Sequence, residues 1–293
     1  MKVEPECASC LLYRGYLEIR ESTTDPNVQF EAMSALNRLL ARGFRPTAVA
    51  AHLGTERDKT IKKITENPDP YLKAKQLSNQ NALKLLPHVD RIVSEEPSSY
   101  PRWRKACLCS IVGNVMEFDI PGHTFNFEDI EGMIRRAEED LAVDEISKIY
   151  DVAKKAKSIL YLTDNAGEIA FDTLLIREFK NLGSWVAVAV KEKPVLNDAT
   201  TEDAKCVGMF NVADKVISTG SDSVGLIPNE CSSDFLELYQ SVDLVVAKGM
   251  GYAETLTETD LKSPHALLLR TKCRPVANFF GVNRGKNVAK LMC

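Results

Sequence analysis

Long hydrophobic runs are missing from this 293-residue chain. The longest, such as Trp185 to Val190, are strand-sized, so no segment reads as membrane-spanning. A basic excess is missing too. Lys and Arg number 37 against 41 Asp and Glu, a net charge of −4, which argues against a general nucleic-acid binder. A small anionic substrate remains compatible, because two or three placed lysines suffice for it. The opening residues Met1-Lys2-Val3-Glu4-Pro5-Glu6-Cys7 carry no apolar signal region, and the expected compartment is the cytoplasm. Internal repeats, low-complexity tracts and long charge runs are absent. Histidine is scarce: His52, His88, His123 and His265 stand apart without ligand spacing and are expected to be structural or superficial. Tryptophan is scarcer, and Trp103 and Trp185 are both expected in the core on periodicity.

What is present describes an ordinary globular protein, 44% hydrophobic and 27% charged, with enough chain for about two domains. Its eight cysteines fit free thiols or metal ligands better than a disulfide framework. Cys206, Cys231, Cys273 and Cys293 are scattered and expected as small core residues. Cys7-x-x-Cys10 and Cys107-x-Cys109 are tighter. Together they offer a four-thiolate zinc or iron–sulfur set, although Cys-x-Cys within a helical pattern is awkward for one metal.

Two patterns divide the chain. Up to about Lys157 nearly every apolar stripe has helical spacing, which predicts an all-helical domain over residues 1–157. Pro26 to Leu40 is one such helix, stopped by Gly43. Pro46 opens the next. Tyr71 to Val93 is another, expected to kink or break at Pro87. Trp103 to Val115 and Phe127, Ile130 and Met133 continue the series. From Ser158 short β-branched runs alternate with amphipathic helices, predicting a three-layer α/β/α domain with a mostly parallel sheet over 158–293. Strands are expected at Ser158–Leu162, Trp185–Val190, Lys215–Ser218, Leu244–Ala247 and Ala266–Leu269. Helices are expected at Glu168–Asn181, Ala199–Phe210, Ser233–Gln240 and Pro275–Phe280.

In an open α/β sheet, ligands gather outside the carboxyl ends of the strands. The first strand there ends on Asp164-Asn165, followed by Gly167 and a helix. The second ends on Lys191 and is followed by Pro194-Val195-Leu196-Asn197-Asp198. The fourth ends on Lys248-Gly249-Met250-Gly251, and the fifth near Arg270-Thr271-Lys272. Acids and an amide supply hard oxygen ligands for a divalent cation. Lysines and a glycine turn supply positive charge and N–H groups for phosphate. Asp164, Asn165 and Asp198 are the candidate metal ligands, and Asp164 and Asp198 the candidate catalytic acids. Taken singly, Asp164, Asn165 and Asp198 read equally as helix caps, and Lys191 and Lys248 as solvated strand ends. Glu168 and Asp172, one turn apart, are placed to orient a ligand, and Glu168 is grouped with the substrate-facing residues.

These residues resemble the metal-dependent damage-control phosphatases, the family long catalogued as domain of unknown function 89, and most of all its stand-alone archaeal and bacterial branch. The likeness rests on Asp164-Asn165-Ala166-Gly167-Glu168, Lys191-x-x-Pro194-x-x-Asn197-Asp198 and Lys248-Gly249-x-Gly251. Gly113-Asn114-Val115-Met116-Glu117-Phe118, Leu269-Arg270-Thr271-Lys272-Cys273 and Pro5-Glu6-Cys7-x-x-Cys10 agree as well. The resemblance covers nearly the whole chain. It implies a helical domain against a three-layer α/β domain, and a divalent ion (Mn, Mg, Co or Ni) at Asp164, Asn165 and Asp198. It implies hydrolysis of phosphate monoesters of small metabolites, such as sugar phosphates or damaged phosphometabolites. Lys191, Lys248, Gly249 and Lys272 would then face phosphate, with Asn114 close by. Glu117 departs from the Asp common in other branches. An S-adenosylmethionine-dependent carboxyl methyltransferase is the competing enzyme reading, although the first turn has acid before glycine and the second strand ends on Lys191, against that fold's pattern. A non-catalytic metal- or ligand-binding protein working through Cys7, Cys10, Cys107 and Cys109 is the third.

Overall fold

A computed structural model describes residues 1–113 and 127–293. Five helices lead: α1 (Glu6–Ser22), α2 (Pro26–Gly43), α3 (Ala50–Thr65), α4 (Leu72–Ser94) and α5 (Ser99–Gly113). After α6 (Phe127–Glu139) come β1 (Leu141–Asp144), α7 (Ile146–Ala153), β2 (Ser158–Leu162), α8 (Glu168–Asn181) and β3 (Trp185–Val190). Then follow α9 (Thr201–Cys206), α10 (Met209–Val212), β4 (Lys215–Ser218), α11 (Ser233–Ser241) and β5 (Leu244–Lys248). The chain closes with α12 (Gly249–Leu256), β6 (His265–Arg270), α13 (Arg274–Phe279) and β7 (Asn287–Met292).

The sheet order is β1-β7-β6-β5-β2-β3-β4, with every neighbouring pair parallel except β6 and β7. Near-continuous apolar runs form the central strands because both faces are covered. Alternate residues of β2 divide between two cores: Ile159 and Tyr161 pack with α4, α5, α7 and α8, while Leu160 and Leu162 pack with α11, α12 and α13. This is the expected three-layer arrangement. A smaller core of Leu11, Leu36, Leu40 and Leu53 joins α1, α2 and α3. There Asp25 starts α2 by accepting the Asn27 N–H (2.8 Å), with Pro26 in the first turn.

Several expectations change. Residues 1–157 are not helical throughout, because β1 falls there and joins the sheet edge beside β7. At four residues with alternating burial, β1 carries too little pattern to show. Helix α4 runs through Pro87 as one element, held by Ala82, Leu85, Val89 and Val93 in the main core. The expected helix Ala199–Phe210 is two, divided at Gly208 with φ +74°. Trp185 opens β3 at the sheet's amino edge and stays 38% exposed, so it is not a core residue; Trp103 is buried against Phe179. Cys206 and Cys293 are exposed and Cys231 and Cys273 half-buried, so none of the scattered cysteines is a full core residue. Asn114 and Glu117 lie outside the described residues, as do the side chains of Phe127 and Ile130. Among the described residues no helix is long and apolar enough to cross a membrane.

Candidate active site at the carboxyl edge of the sheet

From β2 the chain crosses to β3 on one side, while β5 flanks β2 on the other. Such a divergence opens a crevice at the strand ends. Asp164 leaves β2 there, and the segment after β3 folds back over it. Ala199 N–H donates to Asp164 O (2.8 Å) and Ala166 N–H to Asn197 O (2.9 Å), so Asn165 and Asp198 sit opposite each other in a short antiparallel bridge. Lys191 N–H donates to Ala199 O (2.9 Å) and closes the return loop. The structure therefore brings Asp164, Asn165 and Asp198 to one place. None of them caps a helix through its side chain. Gly167 precedes α8 without a side-chain cap, and the capping acid of α9 is Asp203, which accepts from Thr200 N–H (2.9 Å).

Gly249 opens α12 against Asp164, at φ +80°. A Cβ there would lie 1.9 Å from Asp164 Oδ2, so only glycine leaves the carboxylate its position.

The lysines divide by environment. Lys248 is fully buried, and its three N–H groups are spent on Glu168 Oε1 (2.6 Å), Asp172 Oδ1 (2.8 Å) and Ser110 O (3.0 Å). Tyr161 Oη and Ser110 Oγ also donate to Asp172 Oδ1, each at 2.7 Å. In this arrangement Lys248 holds Glu168 and Asp172, with no N–H left over for phosphate. Lys191, also buried, donates to Gly225 O (2.8 Å) and lies 3.7 Å from Asp198 Oδ2. Lys272 is exposed on the loop after β6, close enough for its charge to act on Asp164.

Desolvation pushes the Asp164 carboxyl well above the usual carboxylate range; Glu168 and Asp198 add to the rise, and Lys272 and Lys248 oppose it. Burial likewise pushes Asp198 up to about 6, against the pull of Lys191. Burial draws the Lys248 ammonium down, but Asp172 and Glu168 outweigh it and keep the lysine charged. Two neighbouring carboxylates that resist ionisation have less positive charge around them than they need. A hard divalent cation would supply what is missing. The donor set fits one: Asn165 turns its Nδ2 to Asp164 Oδ2 and Glu168 Oε2, both at 3.0 Å, so its Oδ1 is the atom it could offer to a cation. Among the described residues no three His, Cys, Asp or Glu side chains gather as a metal site, and the candidate set needs only two acids and the amide.

Two helical residues escaped the sequence reading. Asp58 of α3 accepts Leu196 N–H (3.2 Å) and pairs with Lys62 (2.6 Å), whose ammonium also donates to Pro194 O (2.6 Å). Leu196 has φ +46°, unusual for a branched residue, so the stretch before Asp198 is gripped in a strained conformation. Asn79 of α4 accepts Gly167 N–H (2.7 Å) and donates to Asp203 (2.8 Å). The available signal was a polar run, Lys75, Ser78 and Asn79, entering the buried stripe of α4.

The four-thiolate set does not form. Cys107 and Cys109 are buried in α5, and Cys7 and Cys10 line a separate cavity of about 230 Å³ with Cys273. Burial pushes the Cys109 thiol up to about 12, an inert thiol rather than a ready ligand.

A profile of the damage-control phosphatase ARMT1-like domain matches residues 3–288. The chain belongs to this family. A "Damage-control phosphatase" of Archaeoglobus fulgidus is 35% identical over 100% of both chains. One from Pyrococcus horikoshii with the same description is 33% identical over 97% of this chain and 96% of its own. An uncharacterised protein of Methanocaldococcus jannaschii is 40% identical over 98% of this chain and 95% of its own. A crystal structure of a domain-of-unknown-function-89 protein from Pyrococcus horikoshii superposes with a TM-score of 0.87 at 32% identity, covering 99% of this chain and 98% of that one. The names carried by these damage-control phosphatase relatives support a phosphatase role in the family.

Proposed function

We propose that the protein is a divalent-metal-dependent phosphatase acting on phosphate monoesters of small metabolites. The observation that carries this is the backbone pairing of Asn165 with Asp198, which draws acids from successive β–α junctions together in the crevice beside β2. Asp164, Asp198 and the Asn165 amide oxygen would hold the ion. Once bound, it would polarise a phosphoryl oxygen and offset the charge that develops in hydrolysis.

The chain's own groups do the rest. Lys272, exposed at the rim, meets the non-bridging phosphate oxygens, and Lys191 keeps the Asp198 carboxylate ionised from the buried side. The turn at Gly249 brings the N–H groups of α12 to the same crevice. Lys248 and Glu168 act one step back: their ion pair fixes the Glu168 oxygens against which Asn165 is turned. Asn114, implied near the site by the family likeness, belongs to this proposal on that ground alone.

A panel of phosphate esters, assayed with Mg²⁺, Mn²⁺, Co²⁺ and Ni²⁺ in turn, tests the reading. Phosphate release should require the added ion and vanish in Asp164→Asn. Full release in excess chelator, or full activity in that variant, would refute it.

A further inference from the structure

We propose that Asn79 is the positioning residue that sets the spacing of the two metal-binding loops. This rests on the metal site proposed above. Asn79 is buried, and its carboxamide is used at both ends. Oδ1 accepts from Gly167 N–H (2.7 Å), in the turn that carries Asp164 and Asn165. Nδ2 donates to Asp203 Oδ1 (2.8 Å). The other oxygen of Asp203 accepts from Thr200 N–H (2.9 Å) and Thr200 Oγ1 (2.7 Å), two residues beyond Asp198. One planar amide from α4 thus spans both loops. Its short side chain leaves little slack.

The backbone around it demands this contact. Gly167 has φ +79°, and a Cβ there would come within 2.9 Å of Ser78 Cβ, so the turn rests directly on α4. Lys75, one helical turn before Asn79, pairs with Asp69 (2.8 Å) and lies 3.9 Å from Asp203 Oδ2, which sets a positive charge beside the acceptor. An acceptor for Gly167 and a donor for Asp203 are required of the same side chain. Asparagine provides both; aspartate of the same shape provides only the first and opposes Asp203.

The pair of residues therefore has a reciprocal solution. In Asn79→Asp the bridge fails. In Asn79→Asp combined with Asp203→Asn, the new amide donates to the new carboxylate, still accepts Thr200 N–H, and Gly167 keeps its acceptor. Outer partners of metal ligands typically govern affinity by about 10- to 100-fold. Mn²⁺ binding, followed by the electron paramagnetic resonance signal of the free ion on the full chain, should weaken about tenfold or more in N79D. It should return most of the way in the double variant. A loss of folding alone would lower the melting temperature without changing the affinity of the molecules that remain folded. If N79D does not fold, Asn79→Ser, which removes the span without adding charge, takes its place in the comparison with wild type. Unchanged affinity in N79D or N79S, with wild type binding normally, overturns this inference alone. So does a double variant that binds no better than N79D. A wild type that binds no Mn²⁺ overturns the metal reading and this inference with it.

Discussion

Asp164 depends on a neighbour with no side chain. Gly249→Ala places a methyl group where Oδ2 stands, so Asp164 must rotate off its position or the α12 turn must shift. We expect that variant to fold and to lose metal-dependent activity by at least about tenfold, the scale on which small misplacements act; assay at saturating substrate with varied Mn²⁺ checks it. The protonation of Asp198 gives a second outcome. Its ordinary value is 3.8 and burial lifts it to about 6. A raised acid opposes folding as pH climbs from its unfolded value through its folded one, because the folded form resists the charge. A cation cancels that penalty, and below about pH 6 it must first displace a proton. The gain in melting temperature from Mn²⁺ should therefore be larger at pH 7.5 than at pH 5. An equal gain at both would remove Asp198 from the site. Lys248 makes the opposite kind of case. Replacing it with Met leaves Glu168 and Asp172 buried without their counter-ion and should cost about 3–5 kcal/mol in a urea titration. A phosphate contact alone would leave stability untouched.

At the level of elements, the candidate site was legible at strand ends and helix starts. The four buried strands β2, β3, β5 and β6 stand out as apolar runs, and their register brings Asp164 beside Gly249 because Leu162 pairs with Ala247. What stayed hidden was either short or decided by distant contacts. Edge strand β1 and its neighbour β7 are held by partners far away in the chain, and Pro87 is absorbed because α4 is clamped into the core. The role of Lys248 could not be read at all: a lysine ending a strand looks solvated until Glu168 and Asp172 are seen around it. Glu145 shows how the late edge is fastened. It accepts Leu291 N–H (2.9 Å) and pairs with Lys148 (2.9 Å) and Lys290 (3.1 Å). Desolvation works against its ionised form, but these partners outweigh it and draw its carboxyl down to about 2. A depressed acid contributes stability that is present above its unfolded value and lost as pH falls through the folded one. Glu145→Gln should therefore flatten the fall in melting temperature between about pH 4.5 and pH 2; an unchanged fall would show that the clasp contributes nothing.

Taken whole, the helical half of the molecule braces the loops of the candidate site at the sheet. Helix α3 grips the Pro194–Leu196 stretch through Asp58 and Lys62, and reaches Val224 N–H through Thr55 (2.9 Å). Helix α4 spans both loops through Asn79. Cation binding should then be felt beyond the ligands, with slower amide exchange in α3 and α4 as well as at the strand ends. Protection confined to the sheet would mean that the brace is passive. The proposed sharing of one ion by Asp164 and Asp198 is directly testable. Crystals grown with Mn²⁺, measured at the manganese absorption edge, should show an anomalous peak bounded by those two carboxylates and Asn165 Oδ1. A peak at the Cys7, Cys10 and Cys273 cavity instead, or none between the two acids at saturating Mn²⁺, would contradict it.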